Sequence, residues 1–185
     1  IRLTKKDLSG TVNGASGGDV SLTNGTKISL PANGIVKASD NSSYTGTVNV
    51  FAAYIDPTAA DISSRVPGSF MAIDKNGKRV FLSSYGMMAV ELESSTGEKL
   101  QVKPGNTATL TSPIPSSIQA TAPATIALWY IDEKTGLWME EGTATKQGSS
   151  YMGTVKHFSF WNCGIGVPAV TLSATLKTSA GQPLV

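Results

Sequence analysis

The chain carries one histidine and one cysteine, His157 and Cys163, and both fall within residues 128–164, LWYIDEKTGLWMEEGTATKQGSSYMGTVKHFSFWNCG. The same segment holds all three tryptophans and the acidic cluster Asp132, Glu133, Glu140 and Glu141. Paired carboxylates hydrolyse glycosides when held roughly 5–10 Å apart across a cleft. Here they straddle the turn at Glu133-Lys134-Thr135-Gly136, where solvated turn charges are expected. Indole faces suit sugar rings, so a glycan-binding surface would be built from Trp129, Trp138 and Trp161. Trp129 and Trp138 flank that same turn, however, and are expected to pack across strands in or near the core. Cys163 has no base closer in sequence than His157 and reads as a small apolar filler.

Several chemistries are excluded by composition. A single cysteine permits neither an intrachain disulfide nor a thiolate metal cage. No Asp-x-Asp-x-Asp pattern offers calcium its oxygen ligands, and Asp56 with Asp61 is a poor substitute. No Ser-x-x-Lys motif, strand-to-helix nucleophile elbow or phosphate-binding glycine loop is expected. The sequence therefore predicts no metal, no cofactor and no external substrate. Net charge is +2, with lysines and arginines scattered singly, and Lys5-Lys6 and Lys75/Lys78/Arg79 make no basic stripe for nucleic acid.

The elements that must position these residues are strands. Charged residues make up only 15% of the 185, and Ser, Thr and Gly fill the gap; such a balance suits extracellular β modules with exposed strand faces and frequent turns. Period-two alternation predicts strands over 20–22, 26–30, 44–54, 70–73, 78–82, 87–93, 108–113, 126–132, 138–145 and 151–161. Asn76-Gly77, within Asp74-Lys75-Asn76-Gly77, marks one hairpin, and Ser95-Thr96-Gly97-Glu98 and Glu133–Gly136 mark two more. One helical turn is expected in 56–66, with Pro57 at its first position after an Asp56 cap. Residues 116–123 read as a loop. Asn24-Gly25-Thr26 and Asn41-Ser42-Ser43 fit the glycosylation pattern but read as turns. The fold class is all-β: an antiparallel β-sandwich or partly closed barrel with minor helix. Residues 164–168 read as a linker, 170–176 as a fresh alternating strand and 179–184 as a turn. The expected organisation is a surface module over 1–166, followed over 167–185 by a linker and the beginning of a second, Ig-like β domain.

The run 44–50, Asp56-Pro57-Thr58, Pro67-Gly68-Ser69-Phe70, SYGMMAVEL at 84–92, LWYIDEKTGLWMEEG and HFSFWN resembles a β domain of bacterial surface proteins, and a similar block occurs in cartilage intermediate layer protein. The resemblance spans residues 28–164. Its closing segment is also similar to the end of the zona-occludens/uncoordinated-type domain and to the autoproteolysis motif of adhesion receptors. The tail SAGQPLV looks like the start of a carboxypeptidase-regulatory-like sandwich. The resemblance implies one specific chemistry at His157, Phe158 and Ser159. The Ser159 hydroxyl would attack the Phe158 carbonyl with His157 as general base, giving an ester that water hydrolyses. That step needs a strained bond and an oxyanion donor. The plainer reading puts Tyr151, Val155, His157, Ser159 and Trp161 on one face of a central strand, and Met152, Phe158 and Phe160 on the other, with the bond intact.

The expectation carried forward is a non-enzymatic structural or adhesive module of a multi-domain extracellular or cell-surface protein. Its partner would be an unidentified protein or glycan, without nucleic acid and without a transmembrane segment in residues 1–185. The resemblance adds a bacterial outer surface and a lipoprotein anchor. Self-processing between Phe158 and Ser159 and glycan binding are the alternatives.

Overall fold

The structure, a computed structural model, describes residues 5–170, 175–179 and 182. Thirteen strands form among them: β1 (Leu8–Asn13), β2 (Gly18–Ser21), β3 (Lys27–Leu30), β4 (Ile35–Lys37), β5 (Thr47–Ile55), β6 (Met71–Ile73), β7 (Arg79–Ser94), β8 (Lys99–Val102), β9 (Ala108–Pro113), β10 (Thr125–Asp132), β11 (Leu137–Gln147), β12 (Ser150–Val155) and β13 (Phe160–Pro168). A single helical turn, α1 (Ile62–Arg65), and a short 3-10 helix at Ser116–Thr121 complete the fold. All-β architecture with minor helix is what the alternation predicted.

The strands hydrogen-bond in the order β1-β5-β7-β13-β10-β11-β12-β9-β3-β2, with β4, β6 and β8 off this path. Pairing is antiparallel except between β6 and β11. The two ends of the path, β1 and β2, are consecutive in the chain. A tight turn joins them, closed by the Gly17 N–H donating to the Asn13 carbonyl at 2.9 Å. Gly17 has φ 68, and a Cβ there would lie 2.5 Å from the Leu30 carbonyl oxygen, so only glycine fits. The arrangement fits the antiparallel β-sandwich or partly closed barrel of the sequence expectation.

Ten strands along this path contribute to one core, among them Val12, Val20, Ile28, Val50, Val90, Leu110, Leu128, Tyr151 and Trp161. A second core of Ile55, Val66, Ala72, Val80, Leu82, Met87, Trp129, Ile131 and Trp138 packs with Ile62 and Phe70 near α1. β7 serves both. Opposite it, the register shifts between Cys163 and Gly164, where Ser84, Tyr85 and Gly86 occupy the space of two residues. One extra residue reverses the alternation. Val80 and Leu82 therefore enter the second core, whereas Met88, Val90 and Leu92 enter the first.

That bulge also explains a difference from the sequence reading, which expected two strands at 78–82 and 87–93 and finds one. Three short strands, β1, β4 and β8, lie where none was expected. The helical turn starts after Asp61, whose carboxylate bonds the Arg65 side chain rather than a first-turn N–H. Asp56 instead accepts from the Thr58 N–H at 2.8 Å, so neither the Asp56 cap nor the Pro57 helix start forms. Residues 164–168, read as a linker, pair with Ser84 to Val80 as the second half of β13. The expected strand at 170–176 and turn at 179–184 fall largely on 171–174, 180–181 and 183–185, outside the described residues.

Candidate functional site

The strand expected over 151–161 is broken. β12 ends at Val155, β13 starts at Phe160, and 156–159 bend between them. Val155, Phe158 and Trp161 all enter the first core, and a spacing of three cannot place successive residues on one face of an extended strand. The chain turns at His157 so that Phe158 can be buried. His157 and Ser159 therefore do not share a strand face with Tyr151 and Val155.

The backbone of this bend is held by side chains as well as strands. The carboxamide of Gln101, on β8, accepts from the Phe158 N–H at 2.8 Å and donates to the Phe158 carbonyl at 2.9 Å. The Trp161 indole N–H donates to the His157 carbonyl at 3.1 Å, and the Ser159 carbonyl accepts from the Val90 N–H at 3.2 Å. A groove of about 200 Å³ opens beside the bend, lined by Val90, Leu92, Lys99, Gln101, Phe158 and Ser159.

His157 lies with its ring centroid 4.7 Å from that of Tyr130, edge on, and 5.1 Å from that of Trp161. Its Nε2 stands 3.9 Å from a Glu141 carboxylate oxygen. Burial against these rings pushes the imidazole pKa below its ordinary value; Glu141 and hydrogen bonding to the Phe158 backbone oppose that, and Lys156 reinforces it. A neutral imidazole is the form a general base requires. The Ser159 hydroxyl, however, donates to the Phe160 carbonyl at 3.1 Å rather than to His157. The bend thus joins a donor on the Phe158 carbonyl to a neutral imidazole, with the hydroxyl directed elsewhere.

The indoles are structural. Trp129 and Trp161 are 2% exposed and Trp138 is fully buried. Each spends its N–H inside the fold: Trp129 on the Gly164 carbonyl at 2.8 Å, Trp138 on the Ser69 carbonyl at 2.9 Å, Trp161 on His157. No indole face remains for a sugar ring. Trp129 and Trp138 share the second core but stand opposite Glu140 and Ile131 respectively, not opposite each other.

The carboxylates disperse. Asp132 accepts from the Lys134 N–H and the Thr135 hydroxyl, which hold its pKa below the ordinary value. Glu140 accepts from the Lys75 N–H at 3.0 Å, and Glu141 faces His157. Asp56 closes its own turn, and Asp61 pairs with Arg65 at 2.9 Å. Among the described residues, no three His, Cys, Asp or Glu side chains gather as a metal site would require. Cys163 is buried, and burial pushes its thiol up to about 12. Gly14-Ala15-Ser16-Gly17-Gly18 has the Gly-x-Ser-x-Gly spacing, but it forms the β1–β2 turn rather than a strand-to-helix elbow, and its Ser16 hydroxyl donates to Gly17.

Sequence reasoning missed two features. Gln101 carries no signal in its neighbours, because its role depends on a residue 57 positions away. The second is an apolar patch on β7 and β13. Phe81 and Val167 stand directly opposite each other and are 49% and 48% exposed, with Ile165 nearby at 39%. β10 pairs with β13 only as far as Gly164. Beside the unpaired stretch lies an open groove of about 370 Å³, floored by Val80, Ile126 and Trp129 and rimmed by Asp74, Lys75 and Glu140.

The chain is 31% identical over 124 residues to human cartilage intermediate layer protein 2, an alignment covering 65% of this chain and 10% of that protein. It is 32% identical over 111 residues to the mouse protein of the same name, covering 60% and 9%. The chain thus spans about a tenth of the length of the curated relatives it matches. No protein-family profile matches it, and no solved structure does.

Proposed function

We propose that this chain is a non-enzymatic structural or adhesive module of a multi-domain protein that works outside the cell or at its surface. The observation that carries the reading is the Phe81–Ile165–Val167 patch beside the unpaired end of β13. Apolar side chains flanking a free strand edge suit an extended protein segment that adds a strand. The side chains expected to do chemistry are, by contrast, spent on packing, turns and internal hydrogen bonds. A relative named for the cartilage intermediate layer is compatible with an extracellular structural role. No helix among the described residues is long and apolar enough to cross a membrane. The bacterial surface, the lipid anchor and the following carboxypeptidase-regulatory-like domain belong to this proposal through the sequence resemblance.

The reading is tested by surface plasmon resonance against a panel of purified matrix proteins and glycans. Saturable protein binding lost in Phe81→Ser/Val167→Ser, with the thermal midpoint held, supports it. Binding that survives the double variant, or binding confined to glycans, rejects the assigned surface.

A second reading, one self-cleavage between Phe158 and Ser159, has one observation in its favour: Gln101 supplies a hydrogen-bond donor to the carbonyl that would become the oxyanion. Against it stands the Ser159 hydroxyl bonded to Phe160. Intact-mass measurement separates the two. A single species at 19.2 kDa rejects cleavage, and two fragments abolished by Ser159→Ala establish it.

A further inference from the structure

Glycine follows asparagine at Asn13-Gly14, Asn24-Gly25, Asn33-Gly34 and Asn76-Gly77. Such pairs can modify themselves with water as the only co-reactant. The glycine main-chain nitrogen, losing its proton to solvent, attacks the asparagine Cγ. The Cγ–Nδ2 bond breaks and ammonia leaves with a proton from solvent. Water then opens the cyclic imide at either carbonyl to give aspartate or isoaspartate. Glycine favours the step because no Cβ obstructs the approach, but the backbone must first leave its native geometry, so local opening controls the rate.

The fold protects the four pairs unequally. Gly14 is buried and donates to the Gly46 carbonyl at 2.8 Å, while the Asn13 side-chain oxygen is held by the Ala15 and Ser16 N–H groups. Gly34 is also buried, and a Cβ there would lie 2.3 Å from a Pro31 side-chain carbon, so little movement is available. Asn24 is exposed, but its side-chain oxygen accepts at 3.0 Å from the N–H of Thr26, which is fully buried. Asn76 and Gly77 form the exposed tip of the β6–β7 hairpin, with nothing within 4 Å of the Gly77 Cβ position. Their local restraints are bonds to Asp74 alone: the Asn76 N–H to its carboxylate at 2.9 Å, the Asn76 side chain to the same carboxylate, and the Gly77 N–H to its carbonyl at 2.9 Å. Opening this tip disturbs no buried side chain, so it is the least costly of the four.

We infer that Asn76 is a self-modification site, converting to aspartate and isoaspartate ahead of the other three pairs. The product places a second carboxylate beside Asp74, on the rim of the groove next to β13. The isoaspartate form adds a main-chain methylene to a turn whose length sets the pairing of β6 with β7. The tip would lose its fixed geometry where it borders the exposed patch.

The test incubates the folded 185-residue chain and a urea-unfolded control at mildly alkaline pH. Chymotryptic peptides are then followed by mass, and isoaspartate is labelled with its specific methyltransferase. In the folded chain the Asn76 peptide is expected to convert first, with Asn13 and Asn33 roughly tenfold or more slower than Asn76 once each is divided by its unfolded rate. Asn76→Gln should remove the early methyl label, and Gly77→Ala should delay it. Conversion of Asn13, Asn24 or Asn33 as fast as Asn76 on that scale overturns the assignment, as does an early label that persists in Asn76→Gln.

Discussion

Gln101 and Phe158 are joined twice, N–H to carboxamide oxygen at 2.8 Å and carboxamide N–H to carbonyl at 2.9 Å. A side chain here takes the place of a strand. β7 is paired by β13 up to Ala89 and by β8 from Leu92, and the bend between β12 and β13 falls into the gap. Without Gln101 the main-chain polar groups of Phe158, whose ring is buried, would lose their partner. The same pair fixes where His157 and Ser159 sit, because both flank the clamped residue.

Gln101→Leu should therefore destabilise the fold by about 1–3 kcal/mol, the usual cost of stranding partly buried polar groups. Gln101→Glu is the sharper probe. It keeps an acceptor for the Phe158 N–H but sets a carboxylate against the Phe158 carbonyl, so its stability deficit should shrink once acid protonates the new side chain. Urea titrations at neutral and acidic pH, each compared with the parent chain, read both effects. A Leu variant as stable as the parent, or a Glu deficit that does not change with pH, would falsify the clamp as a stabilising element.

His157 makes stability depend on pH with a defined sign. Its pKa in the fold is lowered, chiefly by burial, so between the folded and unfolded values the unfolded chain binds more protons. Stability should be greatest above about pH 6.5, the unfolded value, and decline as pH falls toward the folded pKa. As the sole histidine, its imidazole NMR signal is assigned without ambiguity. Glu141→Gln removes a carboxylate that opposes the shift and should lower the pKa further. A titration midpoint at or above 6.5 in the parent would contradict the burial argument, and an unchanged midpoint in Glu141→Gln would remove Glu141 from it.

The strands were legible wherever a residue pattern of period two ran uninterrupted, as in β5, β9 and β10, and so were the hairpins with glycine at a positive φ, at Gly77, Gly97 and Gly136. The pattern failed at two kinds of place. In β7 a bulge at Tyr85 reversed the faces without ending the strand, so one strand looked like two. Between Val155 and Trp161 an apolar spacing of three was overlooked, and a bend looked like a strand. The short strands β4 and β8 hold three and four residues, too few for alternation to show. Of the candidate site, the identities of His157, Phe158 and Ser159 stood out, but their orientation depended on Gln101, a contact that no local pattern encodes.

The three indoles yield a prediction that bears on glycan binding. Because all are buried with their N–H groups engaged, native emission should be blue-shifted and resist quenching by iodide. Sugars at high concentration should leave it unchanged. Trp138→Phe, which loses the bond to Ser69 and leaves a cavity in the second core, should cost about 1–3 kcal/mol. Iodide quenching comparable to free tryptophan would show that an indole reaches solvent.

Cys163 provides a reporter of the first core. Its thiol is buried, and desolvation pushes its pKa up to about 12. Only the thiolate reacts appreciably with disulfide reagents, so the native chain should be inert to them at pH 8 and react at once in urea. The position tolerates small apolar groups better than polar ones, because Cys163 lies opposite Gly86 within an apolar cluster. Cys163→Ala should cost about 1 kcal/mol or less, and Cys163→Asp several times more, since it buries a charge without a counter-ion. Rapid labelling of the folded chain, or an aspartate variant as stable as the alanine one, would place Cys163 at the surface and undo its assignment to the first core.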